Sequence, residues 1–423
     1  MASSSRADGG THGGKEPDLT RRRFAGSLGA ALGGALLLPR PADAKPPAAA
    51  TPLPAADPKG AAASKPTAPA AAAPETPQEV PHPVAGPVRL DSNENPYGPP
   101  RVALDAMERS RARGARYPDS LEDELTAVLA KLHLVEPDQI VLGCGSGEVL
   151  KMADEAFLTP AEKVVVAEPT FEAVSAFADV VRAEQHKVPL DRKYQHDLDA
   201  MAAACDTRTG VVYLCNPNNP TGTILPAGLV GAFLRQVPKD TVVLVDEAYH
   251  HFVEDADYGS ADRWLSAYPN LVVVRTFSKI YGLAGMRLGY GIGSKSRIAA
   301  MARHKCWSNT NTAVLEAALA VLKEPGLVTE QRRMINDTRR WLCDELAKDG
   351  RIYIPSQTNF VMIRVGGDVK PIIAAFRDRD IWTGRRFASM PDWLRITIGT
   401  KQETAAFLKA LRTIVPTEGT AAA

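Results

Sequence analysis

Three groups of polar residues stand directly after short apolar runs, and their types are those that bind and activate small molecules. The groups contain an amide, a carboxylate with a phenol three residues later, and a lysine, namely Asn219, Asp246 with Tyr249, and Lys279. Valine-rich runs of this length are typical of parallel strands buried on both faces, and ligands bind beyond the carboxyl ends of such strands. The sequence therefore predicts that the three groups converge on one crevice.

These residues match the chemical needs of pyridoxal 5'-phosphate (PLP). Lys279 can form an imine with the cofactor aldehyde, and Asp246 can keep the pyridine nitrogen protonated so that the ring accepts electrons. Tyr249 and Asn219 can donate to the phenolate oxygen of the ring. The cofactor phosphate needs hydroxyls and a cation. The candidates are Thr276, Ser278 and Arg287.

A glycine-rich turn at residues 143–148 is a second candidate seat for the phosphate. It follows a predicted strand and begins a helix, where backbone amides are free to bind an anion. The turn has some likeness to a dinucleotide-binding loop, but Glu148 occupies the place of the last glycine in the G-x-G-x-x-G pattern. The turn therefore favours a phosphate seat over a nicotinamide site.

The elements that position these residues begin near residue 88. Apolar runs alternate with amphipathic helices, which predicts an α/β fold with a mostly parallel sheet sandwiched by helices. The predicted strands of that sheet are 139–142, 163–167, 210–214, 241–245, 271–274 and 288–292. They define a large PLP-binding domain at residues 135–315.

A smaller α+β domain is expected from residues 88–134 and 316–415. Its predicted strands are 359–365 and 394–398, beside helices at 370–377 and 402–414. Thr400 and Glu403 form a capping-box pattern at the start of the last helix. Ser120 is predicted to cap an earlier helix that follows it directly.

The composition bears on the kinds of partner and metal site. The 423 residues carry 50 Lys and Arg against 49 Asp and Glu, and this formal charge of +1 gives no reason to expect nucleic acid as a partner. No uninterrupted apolar stretch is long enough to predict a membrane-spanning helix. The five cysteines show no C-x-x-C spacing, which argues against a zinc site or a disulfide scaffold. His250 and His251 would point in opposite directions on a strand end, so we expect no metal there.

The N-terminal segment has the order of an export signal. Arg21 and Arg22 precede a mild apolar run, and the small-residue triplet Ala42-Asp43-Ala44 follows it. This order resembles a twin-arginine signal peptide at residues 1–44, which would deliver the folded protein through the twin-arginine export machinery to the periplasm. Residues 45–87, rich in Ala and Pro, predict a disordered linker, and residues 416–423 a disordered tail.

Seven runs together resemble the fold-type I PLP-dependent aminotransferases, and most of all their histidinol-phosphate aminotransferase branch. The runs are DSNENPYGPP, RYPD, NPNNPTG, DEAYHHF, TFSKIYGLAGMRLGY, TNFV and LRITIG. They occur in order over about residues 88–413. The resemblance implies transamination between an amino acid or amino-phosphate donor and a 2-oxo acid such as 2-oxoglutarate.

The resemblance also implies roles for individual residues. Lys279 would carry the cofactor as a Schiff base, and Phe171 would stack on the ring. The phosphate would contact Ser146, Gly147, Ser278 and Arg287. Tyr117 would reach the cofactor phosphate of the neighbouring subunit, which implies a homodimer with a shared active site. The substrate site would contain Tyr97, Asn359 and Arg395, the last of these bound to the α-carboxylate.

Several features leave the substrate open. Gly147 stands where histidinol-phosphate enzymes often carry an acidic residue, and the segment 383–387 departs from their V-R-P pattern. Within it, Arg385 and Arg386 are candidates for contacting an acidic or phosphorylated side chain. Export does not suit a step of cytoplasmic histidine synthesis. Aromatic and other amino acids are therefore alternative donors to histidinol phosphate.

Two other functions share these cofactor residues. A PLP-dependent decarboxylase or lyase of the threonine-phosphate decarboxylase type would use the same cofactor site, and conversion of 2-oxoglutarate to glutamate would separate it from an aminotransferase. A non-enzymatic binding module is the third hypothesis. The helix-turn-helix extension expected of such regulators is missing from the sequence before residue 88.

Overall fold

Strands and helices alternate along residues 86–416, the part of the chain that this computed structural model describes. The strands are β1 (Val88–Leu90), β2 (Ile140–Gly143), β3 (Lys163–Glu168), β4 (Glu184–Pro189), β5 (Thr209–Cys215), β6 (Val242–Asp246), β7 (Leu271–Thr276), β8 (Gly289–Gly293), β9 (Tyr353–Ile354), β10 (Phe360–Arg364), β11 (Ile381–Thr383) and β12 (Trp393–Thr397). The helices are α1 (Arg101–Ser110), α2 (Asp119–His133), α3 (Ser146–Phe157), α4 (Ala173–Val181), α5 (Leu198–Ala204), α6 (Ala227–Gln236), α7 (Lys295–Ala302), α8 (Thr312–Lys323), α9 (Leu327–Lys348), α10 (Val369–Arg377) and α11 (Lys401–Ile414).

A seven-stranded sheet has the order β2-β8-β7-β6-β5-β3-β4. Its neighbours pair in parallel, except that β8 runs antiparallel to both β2 and β7. The strands β5, β6 and β7 are adjacent, so the polar residues that follow them meet at one edge. The predicted α/β fold with a mostly parallel sheet is confirmed.

The central strands are buried on both faces. On β5, Val212 and Leu214 pack into one hydrophobic cluster, whereas Val211 and Tyr213 pack into another. All four side chains are fully buried. Helices cover both faces of such a sheet, and this explains why the strands appear in the sequence as continuous apolar runs.

Two smaller sheets bring distant parts of the chain together. In one, β1 pairs in parallel with β11, so Leu90 lies beside Thr383. In the other, β10 pairs antiparallel with both β9 and β12. These pairings place the polar segment after β1 next to the C-terminal strands. The division into a large and a small domain stays a prediction.

Most predicted elements are present, with boundaries shifted by one or two residues. The Thr400/Glu403 capping box is confirmed at the start of α11. The predicted cap at Ser120 is wrong, because α2 begins at Asp119 and Pro118 precedes it without a side-chain cap. The edge strand β4 was not predicted, since four of its six residues are exposed and it pairs only with β3.

The predicted signal peptide, nearly all of the linker and the last seven residues of the tail lie outside the described residues. Within residues 86–416, no helix is both long and apolar enough to span a membrane.

Candidate active site

Most predicted site residues line one cavity of about 700 Å³ where β5, β6 and β7 end. The convergence expected from the strand ends is therefore observed. The predicted residues in its wall are Ser146, Gly147, Phe171, Asn219, Asp246, Tyr249, Thr276, Ser278, Lys279, Arg287 and Arg395.

Lys279 lies in the turn after β7, and its amine faces the segment that follows β1. Its Nζ donates to the backbone carbonyls of Ser92 (3.3 Å) and Asn93 (3.0 Å) and lies 5.5 Å from the centre of the Tyr249 ring. Burial, together with the positive charge of Arg395, lowers the pKa of Lys279 to about 8. A useful fraction of the amine is therefore neutral near physiological pH, as a nucleophile requires.

Asp246 is the buried carboxylate at the end of β6. Its Oδ2 accepts a hydrogen bond from the Tyr213 hydroxyl (3.0 Å), and its Oδ1 accepts one from the Ala248 backbone N–H (3.0 Å). Burial raises the pKa of Asp246 to about 6, although both hydrogen bonds favour the charged form. The group is therefore mostly ionised at neutral pH and held in one orientation, as a partner of a protonated ring nitrogen must be.

Arg395 carries a buried positive charge that forms no ion pair within residues 86–416. Its Nη1 donates to Asn219 Oδ1 (2.7 Å) and its Nη2 donates to the Asp91 carbonyl (2.8 Å), while its Nε is buried without a partner. Burial lowers the pKa of Arg395. An isolated buried cation is costly, so this site favours a ligand that brings a carboxylate or another anion.

The start of α3 supplies a seat for an anion. Ser146 and Gly147 are its first two residues, and their N–H groups lie at the positive end of the helix dipole. The Arg287 guanidinium adds a cation, with its Nη1 3.4 Å from Ser278 Oγ. An added Cβ at Gly145 would lie 2.0 Å from Arg287 Nη2, so the guanidinium approaches this closely only because residue 145 is glycine.

Thr276 and Phe171 complete the wall in different ways. The Thr276 hydroxyl donates to Ser278 Oγ (3.0 Å) and accepts from the Ser278 N–H (3.1 Å), which shapes the turn that presents Lys279. Phe171 is partly buried and offers an aromatic surface to the cavity.

Three residues expected at the site do not line this cavity. Tyr97 packs against the main hydrophobic core. Asn359 is fully buried, and its Nδ2 donates to the carbonyls of Asn93 (3.0 Å) and Glu94 (3.2 Å), so it supports the wall from behind. Tyr117 is 82% exposed just before α2.

Sequence reasoning missed several residues of the cavity. Asn93 and Glu94 lie in the polar run after β1, a signal similar to that of the other strand ends. Tyr213, which does not line the cavity but donates to Asp246 in its wall, lies inside an apolar run and is indistinguishable there from a core residue. Arg377 was also missed, whereas Arg385, already a candidate for contacting an acidic or phosphorylated side chain, does line the cavity. Only the tertiary structure brings these two residues of the C-terminal region to the cavity.

The two adjacent histidines do not point apart. His250 and His251 lie in a short 3-10 helix (His250–Phe252), where their ring centres are 3.7 Å apart. The expected opposite orientation is wrong because no strand continues past Asp246. Among residues 86–416, no group of three or more His, Cys, Asp or Glu side chains is placed to hold a metal ion.

Comparison with known proteins decides the family. Residues 85–411 match the family described as Aminotransferase class I and II. The chain belongs to this aminotransferase family. Histidinol-phosphate aminotransferase 1 of Cupriavidus pinatubonensis is 39% identical to this chain over 331 residues, which cover 77% of this chain and 88% of the relative. Histidinol-phosphate aminotransferase 2 of Ralstonia nicotianae is 40% identical over 328 residues, which cover 77% and 87%.

A solved structure agrees with this assignment. The histidinol-phosphate aminotransferase of Sinorhizobium meliloti, crystallised in complex with pyridoxal-5'-phosphate, has a TM-score of 0.74 and 26% identity, and covers 78% of this chain and 91% of its own. The chain is a PLP-dependent aminotransferase that acts on an amino donor and a 2-oxo acid. Its cavity fits the cofactor, since an anion seat, a buried carboxylate and a buried amine open onto the same space.

The lowered pKa of Lys279 gives a testable prediction. In cofactor-free aminotransferase, Lys279 should react with a small aldehyde under borohydride at a rate that rises with pH and is half-maximal near pH 8, because only the neutral amine is a nucleophile. Mass spectrometry of the peptide that contains Lys279 measures the rate, and Nα-acetyl-lysine serves as the unburied control. A midpoint above about pH 10, the range of free lysine, would contradict the prediction.

Proposed function

We propose that Lys279 carries PLP covalently and that this aminotransferase acts on donors with an anionic group, including histidinol phosphate. The observation that carries the proposal is the unpaired, buried Arg395 in the same cavity as Lys279 and Asp246. A guanidinium in this state favours an anionic ligand and can bind a carboxylate or phosphate with two parallel hydrogen bonds. The 39–40% identity to two histidinol-phosphate aminotransferases supports that donor.

PLP, when bound, would supply an electron-accepting ring next to the substrate α-carbon. Asp246 keeps the ring nitrogen protonated, and Tyr249 and Asn219 donate to the phenolate oxygen. The α3 start and Arg287 hold the phosphate, and Phe171 stacks on the ring. Lys279 Nζ, present as a neutral amine, would take the proton from the substrate α-carbon as a general base and then donate it as a general acid to the cofactor carbon that carries the amino group.

The distal part of the acceptor 2-oxo acid would lie near Arg377 and Arg385. Arg385 pairs with Glu172 and stacks on Phe387, and Arg377 stacks on Trp382. Both guanidiniums line the cavity. They would suit the second carboxylate of 2-oxoglutarate, because histidinol phosphate and the aromatic amino acids each carry a single anionic group.

A panel of amino donors tests the proposed function. With 2-oxoglutarate as acceptor, histidinol phosphate and aromatic amino acids should yield glutamate, and the Lys279→Ala variant should lose at least about a hundredfold in kcat. The Arg395→Lys variant should raise KM for anionic donors about tenfold or more, since a lysine cannot bind them at two points.

The panel also has results that would overturn the proposal. Release of carbon dioxide from an amino donor without formation of glutamate would indicate a decarboxylase. Full activity of the Lys279→Ala variant would refute the proposal that Lys279 carries PLP and transfers the proton.

We propose a homodimer in which Tyr117 contacts the cofactor phosphate of the other subunit. An aromatic side chain that is 82% exposed supports this role. The Tyr117→Ala variant should bind PLP about tenfold more weakly, by loss of a hydrogen bond of about 1.4 kcal/mol. Equilibrium dialysis measures this affinity, and sedimentation should give the mass of a dimer. A monomeric, fully active wild-type protein would contradict the proposal.

We propose that residues 1–44 direct twin-arginine export to the periplasm. The paired arginines before an apolar run and the Ala42-Asp43-Ala44 triplet support this. A reporter fused to residues 1–44 should be exported, and replacement of both Arg21 and Arg22 by lysine should abolish export while the charge is kept. Export that tolerates the double replacement would argue against a twin-arginine signal.

A further inference from the structure

Asn93 occupies a central position beside the reacting groups. It is 1% exposed, and its backbone has a φ of +54°, a conformation that asparagine, aspartate and glycine adopt most readily. Its Nδ2 lies 3.1 Å from the Tyr249 hydroxyl, and its Oδ1 lies 3.2 Å from Thr397 Oγ1. The Thr397 hydroxyl also accepts from the Asn93 backbone N–H (2.9 Å).

These contacts determine the direction of each hydrogen bond. The Thr397 oxygen accepts from a backbone N–H, so its own proton is available for Asn93 Oδ1. In this arrangement the carboxamide presents its NH₂ group to Tyr249, whose oxygen accepts. The Tyr249 proton is consequently left to point away from Asn93, and Tyr249 lines the cavity.

The Asn93 backbone makes a second link to the site. Its carbonyl accepts from Lys279 Nζ (3.0 Å) and from Asn359 Nδ2 (3.0 Å). Asn93 therefore contacts both the Lys279 amine and the Tyr249 phenol. Asn359, which directly precedes β10, holds the Asn93 backbone in place.

We propose that Asn93 is a positioning residue that directs the Tyr249 hydroxyl proton into the cavity and holds the Lys279 amine beside it. The role rests on the proposed function, in which that proton is donated to the phenolate oxygen of PLP. A hydrogen bond donated by Tyr249 stabilises the negative charge of the phenolate. The phenolate then attracts less strongly the proton on the nitrogen that joins Lys279 to the cofactor. Loss of the donation should therefore make that proton harder to remove.

The charged groups around this pair come from several elements. Those that face Tyr249 or Lys279 are Arg395 on β12, Asp246 on β6, Glu94 after β1 and Arg287 before β8. None of them is changed by substitution of Asn93 with glycine, so a shift in that variant reports on the hydrogen bond itself.

The test measures the pH midpoint at which the absorbance of the bound cofactor changes in the holoenzyme. The Asn93→Gly variant keeps the positive φ and the backbone carbonyl but removes the carboxamide, and its midpoint should rise by about half a unit to one unit. The Asn93→Asp variant should raise it further, because a carboxylate can only accept and draws the Tyr249 proton to itself.

A double-mutant cycle separates this role from simple loss of structure. The Tyr249→Phe variant should raise the midpoint, and adding Asn93→Gly to it should cause no further change. Asn95→Ala is the matched control. Asn95 is buried in the same segment but donates to the Ile280 carbonyl (3.1 Å) and to Gln331 Oε1 (3.0 Å), so the midpoint should stay at the wild-type value.

The remaining outcomes overturn one claim or the other. An unchanged midpoint in Tyr249→Phe would refute the proposed contact between Tyr249 and the cofactor, and with it the role of Asn93. A shift in Tyr249→Phe without one in Asn93→Gly or Asn93→Asp would refute only the role of Asn93, as would additive shifts in the double variant. An equal shift in Asn95→Ala would show that the effect comes from a disturbed segment.

Discussion

An excess of positive charge at one edge of a buried sheet is the constraint on which the rest of the site depends. Lys279, Arg287 and Arg395 line the cavity, whereas Asp246 is the one carboxylate buried in its wall among the described residues. Desolvation makes this imbalance costly, and the lowered pKa values of Lys279 and Arg395 express that cost. Anionic groups of the cofactor and substrate would offset it, so the apoprotein is predisposed to bind them.

A second ionic cluster, formed by Arg275, Glu247 and Asp262, lies next to the strand ends that carry these charges. Arg275 on β7 donates to Glu247 (2.9 Å) and Asp262 (3.0 Å), and Glu247 directly follows Asp246, which lines the cavity. A Cβ added at Gly289 on β8 would lie 2.2 Å from the Ser146 backbone nitrogen, so the sheet touches the anion seat directly. Side-chain ion pairs therefore hold the strand ends, and a backbone contact holds the start of α3.

Hydrogen-bond direction adds specificity that position alone does not provide. Asn219 accepts from Arg395, which leaves its NH₂ group as a donor, and Tyr249 accepts from Asn93, which leaves its hydroxyl proton free. Both side chains that can contact the ring oxygen are therefore oriented as donors before a ligand arrives. Such preorganisation reduces the reorganisation needed when negative charge develops.

The sequence by itself determined the residues whose role follows from a strand end. Lys279, Asp246 and Asn219 each follow a valine-rich run, and parallel strands must bring their carboxyl ends to a common edge. Only the tertiary structure decided the partners of those residues. Asn93 meets Tyr249 because β1 pairs with β11 and the segment after β1 is bound to Thr397 on β12. Tyr213, which looks like a core residue in the sequence, supports Asp246. Such contacts join residues far apart in the chain, and local pattern carries no information about them.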